Sequence, residues 1–127
     1  MSEIRVLIVD DSSVMRKIVE RALRQAGLES LVVLEAGSGS EGLERLKNNP
    51  VQLILSDINM PSMDGLEFLR QIRSQGLADG IPVVMITTES SEEHVKEAIL
   101  SGAQGYIRKP FTTEQIKERI LPLLAAV

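Results

Sequence analysis

Four short segments hold the residues with chemistry in them: Asp10-Asp11, Ser56-Asp57-Ile58-Asn59, Thr87-Thr88-Glu89 and Lys109-Pro110. Brought together, Asp10, Asp11, Asp57, Thr87 and Lys109 would supply three carboxylates, a hydroxyl and a lysine. Two carboxylates ~4 Å apart repel by roughly 4 kcal/mol at an effective dielectric near 20, so a cluster of three needs a cation. The chain has no cysteine and one histidine, which excludes soft-metal sites and leaves hard, oxygen-coordinated Mg²⁺ as the natural choice. Mg²⁺ keeps several waters and takes up phosphate oxygens, so a carboxylate pair plus a carbonyl is a sufficient protein contribution. Lys109 adds a fixed positive charge and Thr87 a donor. The set describes a site for a phosphoryl group carried on a carboxylate, a known nucleophile for phosphoryl transfer.

What must position these residues is an alternation of strand-length apolar runs with helix-period segments. The expected strands are Ile4–Val9, Leu31–Ala36, Leu53–Leu55, Pro82–Thr87 and a weaker Gly105–Ile107. The first expected helix covers Val14 to Ala26, with Val14, Ile18, Ala22 and Leu23 on its apolar stripe and Gly27 as its stop. A short second helix ends at Asn48-Asn49-Pro50. A third runs from Gly65 to Gln75, capped by Asp64 with Glu67 in the reciprocal position. The fourth opens on a capping box at Ser90 and Glu93 and stops at Gly102; the fifth starts near Thr112 with Gln115 in the box position.

Five strand-helix units imply a parallel sheet covered on both faces. Strands 1, 3 and 4 are the most continuously apolar and belong in the centre, and strand 5 suits an edge. The apolar strand 2 shows no edge signature. In such a sheet, ligands bind outside the carboxyl ends of the strands, which is where all four segments fall. Taken singly, each acidic or hydroxyl residue is better read as a turn or cap. Asp64 is such a cap, and Ser12 or Ser13 can cap the first helix without Asp10 or Asp11. That reading gives no reason for acid, hydroxyl and lysine to follow four different strands on one rim.

Composition bounds the rest. The 127 residues suit one domain, and 43% hydrophobic with 25% charged residues is ordinary for a folded soluble protein. The core must be aliphatic, because Phe68, Tyr106 and Phe111 are the only aromatic residues. No apolar run approaches the ~18 residues of a membrane span, and Met1–Arg5 lacks a signal-peptide layout, so membrane insertion is not expected and a cytoplasmic location is. With a net charge of -4 and no basic run, nucleic-acid binding is not expected either. The lone His94 reads as a surface residue, and Met60 and Met63 as packing groups.

The blocks Val9-Asp10-Asp11-Ser12, Ser56 through Gly65, Ile86-Thr87-Thr88-Glu89 and Gly105 through Phe111 resemble the signatures of response-regulator receiver domains of two-component signalling. They lie closest to the CheY-like, chemotaxis-type branch, and the resemblance covers essentially the whole chain. It implies a doubly wound, flavodoxin-like (βα)5 fold with strand order 2-1-3-4-5, of which CheY is a standard example. It implies one receiver domain over 1–127 without an output domain. Asp57 would accept a phosphoryl group from a sensor histidine kinase or phosphotransfer protein. Asp11, Asp57 and the Asn59 carbonyl would hold Mg²⁺, with Asp10 acting mainly through water. Lys109 would pair with the acidic site and then the phosphoryl oxygens, and its bond to Pro110 would be cis. Thr87 and Tyr106 would form the switch, and helix 4, strand 5 and helix 5 the face read by a downstream protein. Asn59, Thr88 and Glu89 would govern phosphoryl lifetime and access. Thr88 departs from the small residue, often Ala, usual at that position. Such a protein is a regulatory phospho-acceptor and not an enzyme, beyond slow self-phosphorylation from small donors and autodephosphorylation.

Two other readings compete. Gly37-Ser38-Gly39-Ser40-Glu41-Gly42 is formally a dinucleotide fingerprint, with Asp57 as its acidic partner. It follows the second strand and not the first, precedes a short helix, and leaves Asp10, Asp11 and Lys109 unexplained. A Mg²⁺-dependent phosphohydrolase of the haloacid-dehalogenase type would need an Asp two residues after the nucleophile as general acid and base. That position is Asn59, and an amide cannot shuttle a proton.

Overall fold

The computed structural model describes residues 3–88 and 92–125. Five strands, β1 (Ile4–Val9), β2 (Leu31–Ala36), β3 (Leu53–Ser56), β4 (Val83–Thr87) and β5 (Gly105–Arg108), form one parallel sheet in the order β2-β1-β3-β4-β5. The five helices are α1 (Ser13–Gln25), α2 (Gly39–Asn48), α3 (Gly65–Gln75), α4 (Glu92–Leu100) and α5 (Thr113–Ala125). The fold is the flavodoxin-like arrangement expected from the resemblance.

Successive strand residues point to opposite faces, which divides the core in two. Val6 and Ile8 of β1, with Leu53, Leu55, Val84, Ile86 and Ile107, pack against Val19, Ala22 and Leu23 of α1 and Ile116 and Ile120 of α5. Leu7 and Val9, with Ile54, Val83 and Met85, pack against α2, α3 and α4 through Leu43, Leu46, Phe68, Leu69, Ile72 and Ala98. Strands β1, β3 and β4 are buried on both faces, as their continuous apolar character requires. Strand β2 lies at the edge with its four middle residues half-buried, a position its composition did not signal.

Capping follows local chemistry. The Ser12 hydroxyl accepts from the Met15 amide, and the Asp64 carboxylate from the Glu67 amide at 2.8 Å. At α5 the box is reciprocal: the Gln115 amide donates to Thr112 Oγ1 and the Thr112 amide to Gln115 Oε1. Gly27 and Gly102 end α1 and α4 with positive φ, as helix stops do. The expected box at Ser90 lies outside the described residues.

Two expectations about burial fail. Val14 and Ile18, placed on the core stripe of α1, are 67% and 45% exposed. At about 100° per residue, the buried stripe of Val19, Ala22 and Leu23 leaves Ile18 roughly 90° and Val14 roughly 130° from its centre. A run spaced by four residues drifts off the stripe. His94, expected as a surface residue, is half-buried on α4.

Candidate phosphoryl-acceptor site

Neighbouring strands deliver the site residues to one rim. The Asp10 amide donates to the Ala36 carbonyl at 3.1 Å, the Asp57 amide to the Val9 carbonyl at 2.9 Å, and the Lys109 amide to the Thr87 carbonyl at 2.9 Å. The sheet ladder thus carries on one step past each strand end and holds Asp10, Asp57 and Lys109 by their main chains. The Lys109–Pro110 bond is cis.

Lys109 Nζ lies between two carboxylates, 2.9 Å from Asp10 Oδ2 and 3.2 Å from Asp57 Oδ2. The second oxygen of each acid is held by main-chain amides. Asp57 Oδ1 accepts from Ile58 at 2.7 Å and Asn59 at 3.3 Å, and Asp10 Oδ1 accepts from Ser12 at 2.9 Å. Asp10 and Asp57 are buried, while Asp11 is exposed at the mouth. Among the described residues, no hydrogen bond or ion pair engages the Asp11 carboxylate. The three acids each offer an oxygen, and these atoms all lie within 4.8 Å of one another. An all-oxygen, carboxylate-rich donor set of this size fits Mg²⁺, which is hard and prefers such ligands.

Burial alone would lower the Lys109 pKa. The hydrogen bond to Asp10 and the charges of Asp57 and Asp10 outweigh it, and the ammonium is held above its ordinary value. Lys109 therefore stays charged between the acids.

Thr87 is fully buried at the end of β4, and half-buried Tyr106 packs on the core beneath α2, α3 and α4. Thr87 pairs with Arg108 and Met85 with Tyr106, so strand alternation puts Thr87, Met85 and Tyr106 on the same side of adjacent strands. Asn59 and Thr88 are exposed. Thr88 lines a cavity of about 320 Å³ together with Met15, Ile18, Lys109, Pro110 and Phe111, directly beside the site. Glu89, expected beside Thr88, lies outside the described residues.

The rim matches a known design. A sequence model described as "Response regulator receiver domain" matches residues 6–121. The chain belongs to the response regulator receiver family. Among curated relatives, a chemotaxis protein CheY homolog of Campylobacter jejuni is 39% identical over 121 residues, covering 94% of this chain and 92% of the relative. Among solved structures, the Vibrio cholerae chemotaxis protein CheY4 aligns with a TM-score of 0.86 at 36% identity, covering 97% of this chain and all of the other. A CheY-like receiver domain protein from Methanospirillum hungatei aligns at 0.85 and 31% identity, over 98% of this chain and 96% of that one. This receiver is thus of the CheY-like kind.

The glycines of the receiver's dinucleotide-like run have another use. A Cβ on Gly39 would stand 2.8 Å from Met63 Sδ, and one on Gly42 2.8 Å from Phe68 Cε1. They let α2 close onto α3 and the loop before it. Met60 is buried and Met63 packs against the same cluster, as expected of packing groups. One important residue escaped sequence reasoning. Gly65, expected only as the start of the third helix and within a signature block, donates its amide to the Ile58 carbonyl at 2.7 Å and presses the start of α3 against the Asp57 loop. The Asp-Gly pair before an apolar helix was its only sequence signal.

Proposed function

We propose that the protein is a phosphorylation-activated signalling switch that accepts a phosphoryl group on Asp57 from a histidine kinase or phosphotransfer protein. The observation that carries the reading is Lys109 Nζ held between the carboxylates of Asp10 and Asp57, with Asp11 completing an oxygen cluster within 4.8 Å. Asp11, Asp57 and the Asn59 carbonyl would hold Mg²⁺, with Asp10 acting through water. The ion would supply positive charge against the crowded carboxylates and the incoming phosphoryl oxygens.

In the transfer, a carboxylate oxygen of Asp57 attacks phosphorus, an acyl phosphate bond forms, and the donor's phosphorus–nitrogen bond breaks. The donor imidazole keeps that electron pair. Ile58 and Asn59 amides orient the carboxylate, and Lys109 moves its charge from the acid to the phosphoryl oxygens. Thr87 then donates to the phosphoryl group, and Tyr106, on the same side of the next strand, follows it. The face of α4, β5 and α5 reports the change to a downstream protein, in chemotaxis-type signalling. Phosphorylation shifts this equilibrium only by its differential interaction with the two states, and Thr87 is where that difference arises. The protein is a cytoplasmic phospho-acceptor and not an enzyme with external substrates, and it calls for neither nucleic acid nor membrane. Among the described residues no helix is long and apolar enough to cross a membrane.

The test is intact mass after exposure to acetyl phosphate or phosphoramidate with Mg²⁺. One base-labile phosphoryl group is expected in the wild type and none in Asp57→Ala; the full mass increase in the variant would refute the assignment. Thr87→Ala should keep the mass increase but blunt the amide shift changes around Tyr106, and unchanged shifts in the phosphorylated wild type would rule the coupling out.

A further inference from the structure

The loop between β1 and α1 carries two of the three acids, yet it is held at the Asp10–Asp11 peptide by a residue outside the cluster. Arg16, in the second turn of α1, donates from Nη1 to the Asp10 carbonyl and from Nε to Glu35 Oε1 at 2.9 Å. Glu35, on the edge strand β2, also receives Lys17 Nζ at 3.0 Å. Hydrogen bonds from Arg16 first and Lys17 second hold the Glu35 carboxyl below its usual range, so it stays ionised. The Arg16 side chain is 17% exposed, well shielded for a guanidinium.

The geometry suits aiming rather than charge. Asp10 has its carboxylate tied to Ser12 and Lys109 and its amide tied to Ala36. The Asp10 carbonyl is the remaining polar group of that residue, and it belongs to the peptide that leads into Asp11. Fixing it from α1 fixes the plane from which the exposed Asp11 side chain departs. A planar fork can hold a carbonyl and a carboxylate at once, which a lysine cannot do with the same geometry. Glu35 faces the guanidinium and offsets its charge, which would otherwise oppose a cation held by the acids.

We infer that Arg16, held by Glu35, is a positioning residue that sets the Asp10–Asp11 peptide for metal binding. The inference rests on the Mg²⁺ reading of the acid cluster. Its opposite, Arg16 as a mere nearby cation, makes the reverse prediction, because removing a positive charge should then tighten Mg²⁺.

The test is Mg²⁺ titration without phosphodonor, followed by thermal shift and by the Asp11 amide resonance, on wild type, Arg16→Met, Arg16→Lys and Glu35→Gln. Positioning predicts that Arg16→Met and Arg16→Lys both weaken Mg²⁺, by about tenfold, the low end for losing a partner outside the ligand shell. Glu35→Gln keeps an acceptor but leaves the guanidinium charge uncompensated, and should weaken Mg²⁺ less. Tighter binding in Arg16→Met with no change in Arg16→Lys would overturn the inference. So would unchanged Mg²⁺ affinity in both, whatever happens to stability without metal. Should Arg16→Met fail to fold, Arg16→Lys decides alone, with wild-type affinity counting against the inference. A wild type that binds no Mg²⁺ would sink the metal reading itself and this inference with it.

Discussion

Gly65 lies so close to Asp57 that a Cβ built on it would stand 2.0 Å from the Asp57 carbonyl oxygen and 2.7 Å from Ile58 Cα. Both are main-chain atoms and cannot swing aside. Gly65→Ala must therefore push α3 away from the acceptor loop or distort the loop. We expect a loss of at least about 2 kcal/mol of stability, at the upper end for overpacking, read as a lower urea midpoint. Phosphoryl uptake from acetyl phosphate should fall as well. An alanine variant of wild-type stability would show that the loop yields.

The metal prediction rests on how the acids are engaged. Asp10 already spends both oxygens on Ser12 and Lys109, whereas Asp11 is exposed. Asp10→Ala should weaken Mg²⁺ about 10–100-fold, as for an outer partner, and Asp11→Ala should weaken it further. Protein stability should rise with Mg²⁺ in the wild type, since a ligand bound by the folded state stabilises it. The reverse order of the two variants in a titration would mean that the direct ligand is Asp10.

Lys109 gives a pH dependence of known sign. Its pKa in the folded protein is raised above the unfolded value of about 10.4. The stability this contributes is therefore fully present below about pH 10.4 and is lost as pH rises through the folded value. Melting temperature should fall more steeply in that alkaline window for the wild type than for Lys109→Met. Parallel curves would show that the ion pairs with Asp10 and Asp57 add nothing to folding.

Thr88 stands at the wall of the cavity that adjoins Lys109, with a branched side chain that turns aside poorly. On the proposed function, small donors would have to pass it to reach Asp57, while a protein donor docked on α1 would bring its phosphohistidine already aligned. Thr88→Ala should speed phosphorylation by acetyl phosphate more than by a cognate kinase. Equal acceleration of both, measured as rate constants, would remove Thr88 from the access route.

What the chain order alone carried was local. Alternating periods, caps at Ser12, Asp64 and Thr112, and the fall of Asp10, Asp57, Thr87 and Lys109 at or just past four strand ends are each encoded within a few neighbouring residues. They locate every element and collect the candidate site on one rim, with resemblance adding the strand order and the individual roles. The tertiary structure decided what depends on segments far apart. Lys109 meets acids 99 and 52 positions away, Gly65 and Gly42 must be bare because another segment occupies their Cβ space, and Arg16 reaches Glu35 across to an edge strand. Val14 and Ile18 point away from the core because the helix is oriented by its neighbours and not by its own apolar count. Periodicity is written in the chain, but close approach depends on which surfaces pack together, and that is settled only when all five strand-helix units have closed around the sheet.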